Sequence, residues 1–252
     1  IVRMGYMFNY NSAGERMANN TIKSNSFSIR AGLESAGNVM YAISNLTKQS
    51  KNSDGEYSLL SIPYAQYVKG DFDFSRNIVI DDKNAIAYHV GVGIAVPYGN
   101  SKSIPYIKQY FSGGANSVRG WSVRELGPGS FPGDGNYLNQ SGDIKFDASI
   151  EYRSKLFWLL QGALFVDAGN IWTIKEYENQ PGGQFDISKF YKQIAFAYGL
   201  GIRIDLDYLV FRIDGGMKAL NPAYSSGKQR YPILNPNFKR DFTFHLAVGY
   251  PF

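Results

Sequence analysis

The chain reads as all-β, an antiparallel transmembrane β-barrel. Three observations carry that reading: a two-residue hydrophobic period that returns nine times, connections that alternate between short and long, and the absence of any apolar run near the ~18 residues a spanning helix needs. Aromatics make up 15% of the 252 residues, with 19 Tyr, 17 Phe and 27 Gly. That mixture suits strands with one side in lipid and the other in a crowded lumen.

The elements follow in order. Residues 1–10 set Val2, Met4, Tyr6, Phe8 and Tyr10 against Arg3, Gly5 and Asn9, and 25–35 and 62–76 alternate more weakly. Between them, 38–48 has the apolar spacing of a short helix in an outer loop. Residues 85–96 put Ile86, Tyr88, Val90, Val92, Ile94 and Val96 opposite Ala87, His89, Gly91, Gly93 and Ala95. In 143–153, Lys145, Asp147, Ser149, Glu151 and Arg153 oppose Phe146, Ala148, Ile150 and Tyr152, the division expected between water and a greasy phase. Residues 157–169 alternate less cleanly because Trp158, Leu159 and Leu160 are consecutive. Residues 193–206 set Ile194 through Leu206 in steps of two against Gln193, Gly199, Gly201, Arg203 and Asp205, and 208–218 and 241–252 behave alike. Polar-side positions filled by Gly, Ala or isolated charges fit a barrel lumen better than a soluble sandwich. Asp147 and Arg203 are therefore expected to face lumenal water.

Turns near 12–23, 77–84, 154–157 and 206–208 are short or modest, whereas 37–60, 98–142, 170–192 and 219–240 are long. Strict alternation is the pattern of tight periplasmic turns and long extracellular loops, with the C-terminus periplasmic. Tyr10, Phe74, Trp158, Trp172, Tyr208 and Phe252, at strand ends, are candidates for interfacial aromatic girdles. No repeat or linker divides the chain, which reads as one domain, and Ile1 opens directly in an alternating segment, as in a mature or truncated chain.

Function classes narrow by exclusion. There is no cysteine, hence no disulfide framework or thiolate metal site. The net charge of +5 is spread singly along strands and loops, without the basic run of a nucleic-acid binder. His89 and His245 lie on inward faces without zinc-motif spacing and read as lumenal hydrogen-bonding groups. No nucleophile elbow, Walker loop or dinucleotide fingerprint is present, so no enzyme activity, cofactor or metal is expected.

One constellation stands out. Gly113 to Trp121 sets Arg119 in a glycine-rich loop: Gly120 lets the backbone turn, Trp121 supplies an apolar anchor, and Arg119 offers five donors in a rigid fork. Glu151 and Asp167, on the two strands that follow, have lumen-facing parity, so a loop folding inward would set Arg119 between them. The alternative is three independent lumenal charges.

At these residues the chain resembles the BamA/TamA family of outer-membrane β-barrel assembly proteins, the bacterial surface-antigen type. Val118-Arg119-Gly120-Trp121 is similar to the family's VRGF/Y loop tip, with Trp in place of Phe or Tyr. Glu151-Tyr152-Arg153 resembles its ExR element and Phe165-Val166-Asp167-Ala168-Gly169 its FxDxG element. Stretches 112–117 and 126–130 look most like TamA-type or Bacteroidota TamL-like members. The C-terminus resembles the family's closing strand and aromatic-ended β-signal through Phe244, Leu246, Gly249, Tyr250 and Phe252, although Pro251 lacks the N–H a paired strand would offer.

The resemblance implies that 1–252 is the C-terminal part of an outer-membrane barrel, about nine strands of sixteen, with loop 98–142 folded into the lumen and the first strands and POTRA domains absent. It implies location in the bacterial outer membrane and loop-locking contacts at Arg119, Glu151 and Asp167. The implied role is insertion, assembly or translocation of outer-membrane proteins through a lateral seam, without covalent chemistry. Partners would be client outer-membrane proteins, lipids and lipopolysaccharide, the rest of the barrel with its POTRA domains, and accessory envelope proteins. The rivals are a passive porin or binding barrel, whose loop arginine would line an open constriction, and an outer-membrane hydrolase, which should show paired catalytic groups at the loop mouth.

Overall fold

The computed structural model describes residues 2–12, 25–206 and 209–252. Alternating apolar and polar residues form the strands: β1 (Arg3–Asn11), β2 (Ser26–Ala36), β5 (Tyr67–Val79), β6 (Asn84–Pro97), β7 (Ile144–Phe157), β8 (Leu160–Trp172), β9 (Ala195–Asp205), β10 (Val210–Leu220) and β11 (Phe242–Val248). They make one antiparallel sheet of nine strands in chain order. A minor hairpin, β3 (Ser58–Leu59) with β4 (Ile62–Pro63), and helix α1 (Asn38–Leu46) sit in the connection between β2 and β5.

Register keeps the two faces apart. Ile150 pairs with Val166, Leu164 with Leu200 and Ile202 with Ile213, giving rows of apolar side chains across one face. There Ile150, Val166 and Leu200 are 61%, 52% and 64% exposed, while Glu151, Asp167 and Arg203 on the opposite face are buried. An apolar surface this broad marks a lipid or protein contact, and among the described residues no helix is long and apolar enough to cross a membrane. Rings of Tyr10, Phe27, Phe74 and Tyr88 follow one another at 5.4, 6.5 and 5.9 Å across four strands of that face. Tyr10 and Phe74 in this row are two of the girdle candidates.

Connections are short at 80–83 and 158–159 and long at 98–143, 173–194 and 221–241. The expected helix forms. The sheet is open: β1 and β11 end the strand order and do not pair with each other among the described residues, and every residue of β1 is exposed.

Several expectations need correction. The β7–β8 turn lies at Trp158-Leu159, beyond the expected 154–157, because the consecutive apolar residues blur the alternation where the hairpin reverses. Residues 62–63 belong to the small hairpin, so the third long strand begins only at Tyr67. Trp172 is no girdle residue: it has outward parity but is covered by Phe185 and Phe190, 5.7 and 6.4 Å away, and donates Nε1 to Gln193 Oε1 at 2.8 Å. The last strand spans 242–248 rather than 241–252, because helix α2 (Phe238–Asp241) precedes it and Gly249, at φ +85°, turns the chain out of it. Consequently Gly249, Tyr250 and Phe252 are not strand residues, and Phe252 lies on the charged face rather than in a girdle. Tyr208, with most of the expected turns at 12–23 and 206–208, falls outside the described residues.

Candidate functional site

The connection between β6 and β7 crosses the charged face of β7 to β11. Its tip is a compact turn: Gly114 donates its N–H to Trp121 O at 2.8 Å, and Trp121 donates back to Val118 O at 3.2 Å. Val118 and Trp121 then pack with Leu126 against Ala195 and Ala197 of β9. Small residues on the strands allow this approach. A Cβ at Gly216 would lie 2.1 Å from Arg119 O, and one at Gly120 would lie 2.8 Å from Ala197 Cβ, so loop and strand meet at backbone distance.

The tip presents Arg119 to two carboxylates. Asp167 accepts the Arg119 backbone N–H at 3.0 Å, Nε at 2.8 Å and Nη2 at 2.8 Å. Glu151 Oε2 accepts Nη1 at 2.6 Å. Register explains the pairing: Ser149 stands opposite Asp167, and Glu151 is one inward position further along β7. Ser149 Oγ donates to Asp167 Oδ1 at 2.6 Å and receives Arg119 Nη2 at 3.2 Å. The guanidinium carbon also lies 3.5 Å from the centre of the Phe165 ring, a cation–π contact in a buried setting.

The cluster is larger than the sequence reading anticipated. Glu151 also holds Arg153 Nε at 2.8 Å and Arg203 Nη2 at 2.8 Å, and Asp214 lies 3.0 Å from both Arg203 Nη1 and Arg212 Nε. Arg119, Arg153, Arg203 and Arg212 thus meet Glu151, Asp167 and Asp214, leaving one positive charge in excess. Buried charges are costly unless they are paired, and around Asp214 the pairing is by proximity alone: both of its oxygens, Arg203 Nε and Nη1, and Arg212 Nε and Nη1 have no hydrogen-bond partner among the described residues. A carbonyl dipole and ring faces lie against the guanidinium groups: Arg212 donates Nη2 to Ala115 O at 2.9 Å, and rings of Phe165 and Tyr250 lie over Arg119 and Arg153.

Three further ties hold the tip. His245 Nε2 lies 2.9 Å from Arg119 O, and Thr243 Oγ1 donates to Gly120 O at 3.0 Å, joining β11 to the loop. Lys218 Nζ donates to Glu125 Oε1 at 2.9 Å. Burial alone would lift the Glu125 carboxyl, but the Lys218 charge and the Ser122 N–H together hold it below the usual carboxylate range.

All six loop-site candidates, Val118, Arg119, Gly120, Trp121, Glu151 and Asp167, therefore meet at one place. The seam candidates divide. Phe244 and Leu246 are exposed on the apolar side of β11, whereas Tyr250 and Phe252 reach Arg153 on the charged side. Sequence reasoning did not assign Ser149, Arg203, Arg212, Asp214, Thr243 or His245 to the cluster. Their signal was inward parity, which places a charge on the right face without saying which charges touch.

Residues 63–252 match the Omp85 superfamily domain. Over 97 residues the chain is 35% identical to the outer membrane protein assembly factor BamA of Neisseria meningitidis serogroup B, covering 35% of this chain and 12% of that protein. It is 25% identical over 166 residues to the mouse sorting and assembly machinery component 50 homolog, covering 60% of this chain and 34% of that one. For the human homolog the figures are 26% over 159 residues, 57% and 32%. Among solved structures, BamA from Haemophilus ducreyi lacking POTRA domains 1–3 aligns with a TM-score of 0.49 at 15% identity, over 98% of this chain and 54% of that one. The chain spans about a third or less of the length of these curated relatives.

Proposed function

The chain belongs to the Omp85 superfamily, and from that premise we propose that it is the C-terminal part of an outer-membrane barrel that assembles or translocates other outer-membrane proteins. In this reading loop 98–142 lies in the lumen, and strands and POTRA domains outside 1–252 complete the machine. The relatives named as an assembly factor and as sorting and assembly machinery support the role. The observation that carries it is the pairing of opposites on one sheet: an apolar face fit for lipid, and a charged face on which Arg119 pins a long loop.

No covalent chemistry enters. Arg119, Glu151 and Asp167, with Val118, Gly120 and Trp121, hold the loop; Phe244 and Leu246 lie on the strand that borders the seam, and Gly249, Tyr250 and Phe252 form the tail that turns inward from it. β11 pairs with β10 through only seven residues, Phe242 to Val248, and its outer edge has no partner among the described residues. Unpaired backbone in lipid is costly, so a short closing strand is a natural template for an incoming strand of a client protein. Outer-membrane lipids, including lipopolysaccharide, surround the apolar face, and accessory envelope proteins act on the POTRA side.

The test is complementation. Cells carrying only the full-length protein with Arg119→Ala should insert that protein normally yet lose client barrels from the outer membrane. Wild-type client levels alongside an undocked loop would sink the proposal. Planar-bilayer recording separates it from a porin: a pinned loop gives small, unsteady currents, an open constriction large steady ones.

A further inference from the structure

The last four residues leave the sheet edge and enter the charged face. Gly249 donates its N–H to Val210 O at 2.8 Å and, with its positive φ, sends the chain inward. The Phe252 ring then stacks on His89 of β6 at 5.4 Å and 18°, and Tyr250 Oη donates to Gln161 Oε1 of β8 at 3.3 Å. Between the two rings lies Arg153 of β7. Its guanidinium carbon is 4.5 Å from the Tyr250 ring centre and 5.5 Å from that of Phe252, within cation–π range of both.

The same guanidinium belongs to the loop site. Its Nε is bound to Glu151 Oε1, while the other oxygen of Glu151 holds Arg119. Arg153 Nη2 is buried without a hydrogen-bond partner among the described residues, and the ring faces lie over its guanidinium. Arg153 therefore touches the tail with its plane and the loop's anchoring carboxylate with its edge.

We infer that Arg153 is a positioning residue that couples the seat of the C-terminal tail to the docking of the loop carrying Arg119. While Tyr250 and Phe252 are in place, they keep water from the Arg153–Glu151 pair, and Glu151 is held in the orientation that receives Arg119. When the tail withdraws, Arg153 and Glu151 become hydrated. The local dielectric rises, and the ion pair that Glu151 shares with Arg119 weakens. By linkage the reverse holds: a loosened loop loosens the tail. The inference rests on the proposed function only for its purpose, since the contacts belong to this chain whatever the barrel assembles.

The experiment uses the full-length protein in lipid bilayers and two reporters, this chain having no cysteine of its own. Val118→Cys reports the loop, because Val118 is fully buried under the docked tip. Spin labels on Pro251→Cys and Ser75→Cys, which line one cavity of about 610 Å³, report the tail. Tyr250→Ala with Phe252→Ala should lengthen the spin–spin distance and speed maleimide labelling at 118 by roughly fivefold or more, the scale of coupling between contacting residues. Arg153→Lys keeps the charge but not the plane. In that background labelling should already be raised, and removing the rings should add nothing. Arg119→Ala should in turn lengthen the tail distance.

Protected labelling at 118 after the rings are removed, or independent addition of the tail and Arg153→Lys effects, would overturn the coupling. Because both readouts are positions within this chain, that failure would leave the assembly role standing; normal coupling without client assembly would sink the assembly role alone.

Discussion

Replacing Arg119 with alanine strands one carboxylate far more than the other. Glu151 would keep Arg153 and Arg203, but among the described residues Asp167 would keep only the residue-119 backbone N–H and Ser149 Oγ, having lost both guanidinium bonds. Removing one partner of a buried pair costs about 3–5 kcal/mol because the other charge is left desolvated. At ~1.4 kcal/mol per decade, that lowers the docked-to-undocked ratio of the loop about a thousandfold. Asp167→Asn added to Arg119→Ala should recover much of the loss by removing the stranded charge, whereas Glu151→Gln added to it should not, since it deprives Arg153 of its carboxylate. Arg119→Lys should also fail largely, because a point ammonium cannot reproduce a planar fork shared between two carboxylates. The assay is maleimide labelling of Val118→Cys in lipid, with limited proteolysis of 98–142 as a second reading. Wild-type protection in Arg119→Ala, or no recovery with Asp167→Asn, would refute the argument that these charges pin the loop.

The remaining expectations concern other parts of the same sheet. Arginine at Ile150, Val166 or Leu200 near the membrane midplane should cost ~2–4 kcal/mol in a urea folding titration in lipid, and an unchanged midpoint would show that this face does not meet hydrocarbon. Gly216→Ala should undock the loop without touching any charge, since the new Cβ would meet Arg119 O at 2.1 Å; retained protection at 118 would show that the close approach is not required. The Glu125 carboxyl is held below its ordinary value, so its tie to Lys218 contributes stability above the unfolded carboxylate pKa of ~4.3 and loses it as pH falls through the depressed folded value. Proteolysis of the loop should therefore rise in that acid window, and Glu125→Gln should remove the step.

Parity was readable from sequence because a strand has only two faces. Glu151 and Asp167 alternate with Tyr152 and Val166, so a single hydrophobic row fixes their side of the sheet. What alternation does not encode is stagger between distant strands, which decides that Arg203 reaches Glu151 and that Arg212 and Arg203 share Asp214. Nor does inward mean wet: Asp147 and Arg203, expected to face lumenal water, are buried beneath the loop or among the other charges. Trp172 misled for a similar reason, its outward parity being overridden by Phe185 and Phe190 from the next loop. The tail hid best. Gly249-Tyr250-Pro251-Phe252 continues the aromatic alternation, and only a glycine free to take positive φ two residues before a proline without a donor hinted that the strand ends at Val248.

The distances along the chain within the loop site bear on the chain entropy that closing it costs. Arg119 finds Glu151 and Asp167 only 32 and 48 residues ahead, both in the hairpin that follows the loop, whereas the ties from Thr243 and His245 span 123 and 126 residues. Closing the short circuits costs less chain entropy than closing the long ones. On closure entropy alone the loop and the β7–β8 hairpin are the least costly part of the site to bring together, with β9 and β10 adding Arg203, Asp214 and the glycine floor. The ties to the closing strand carry the largest closure cost of the site.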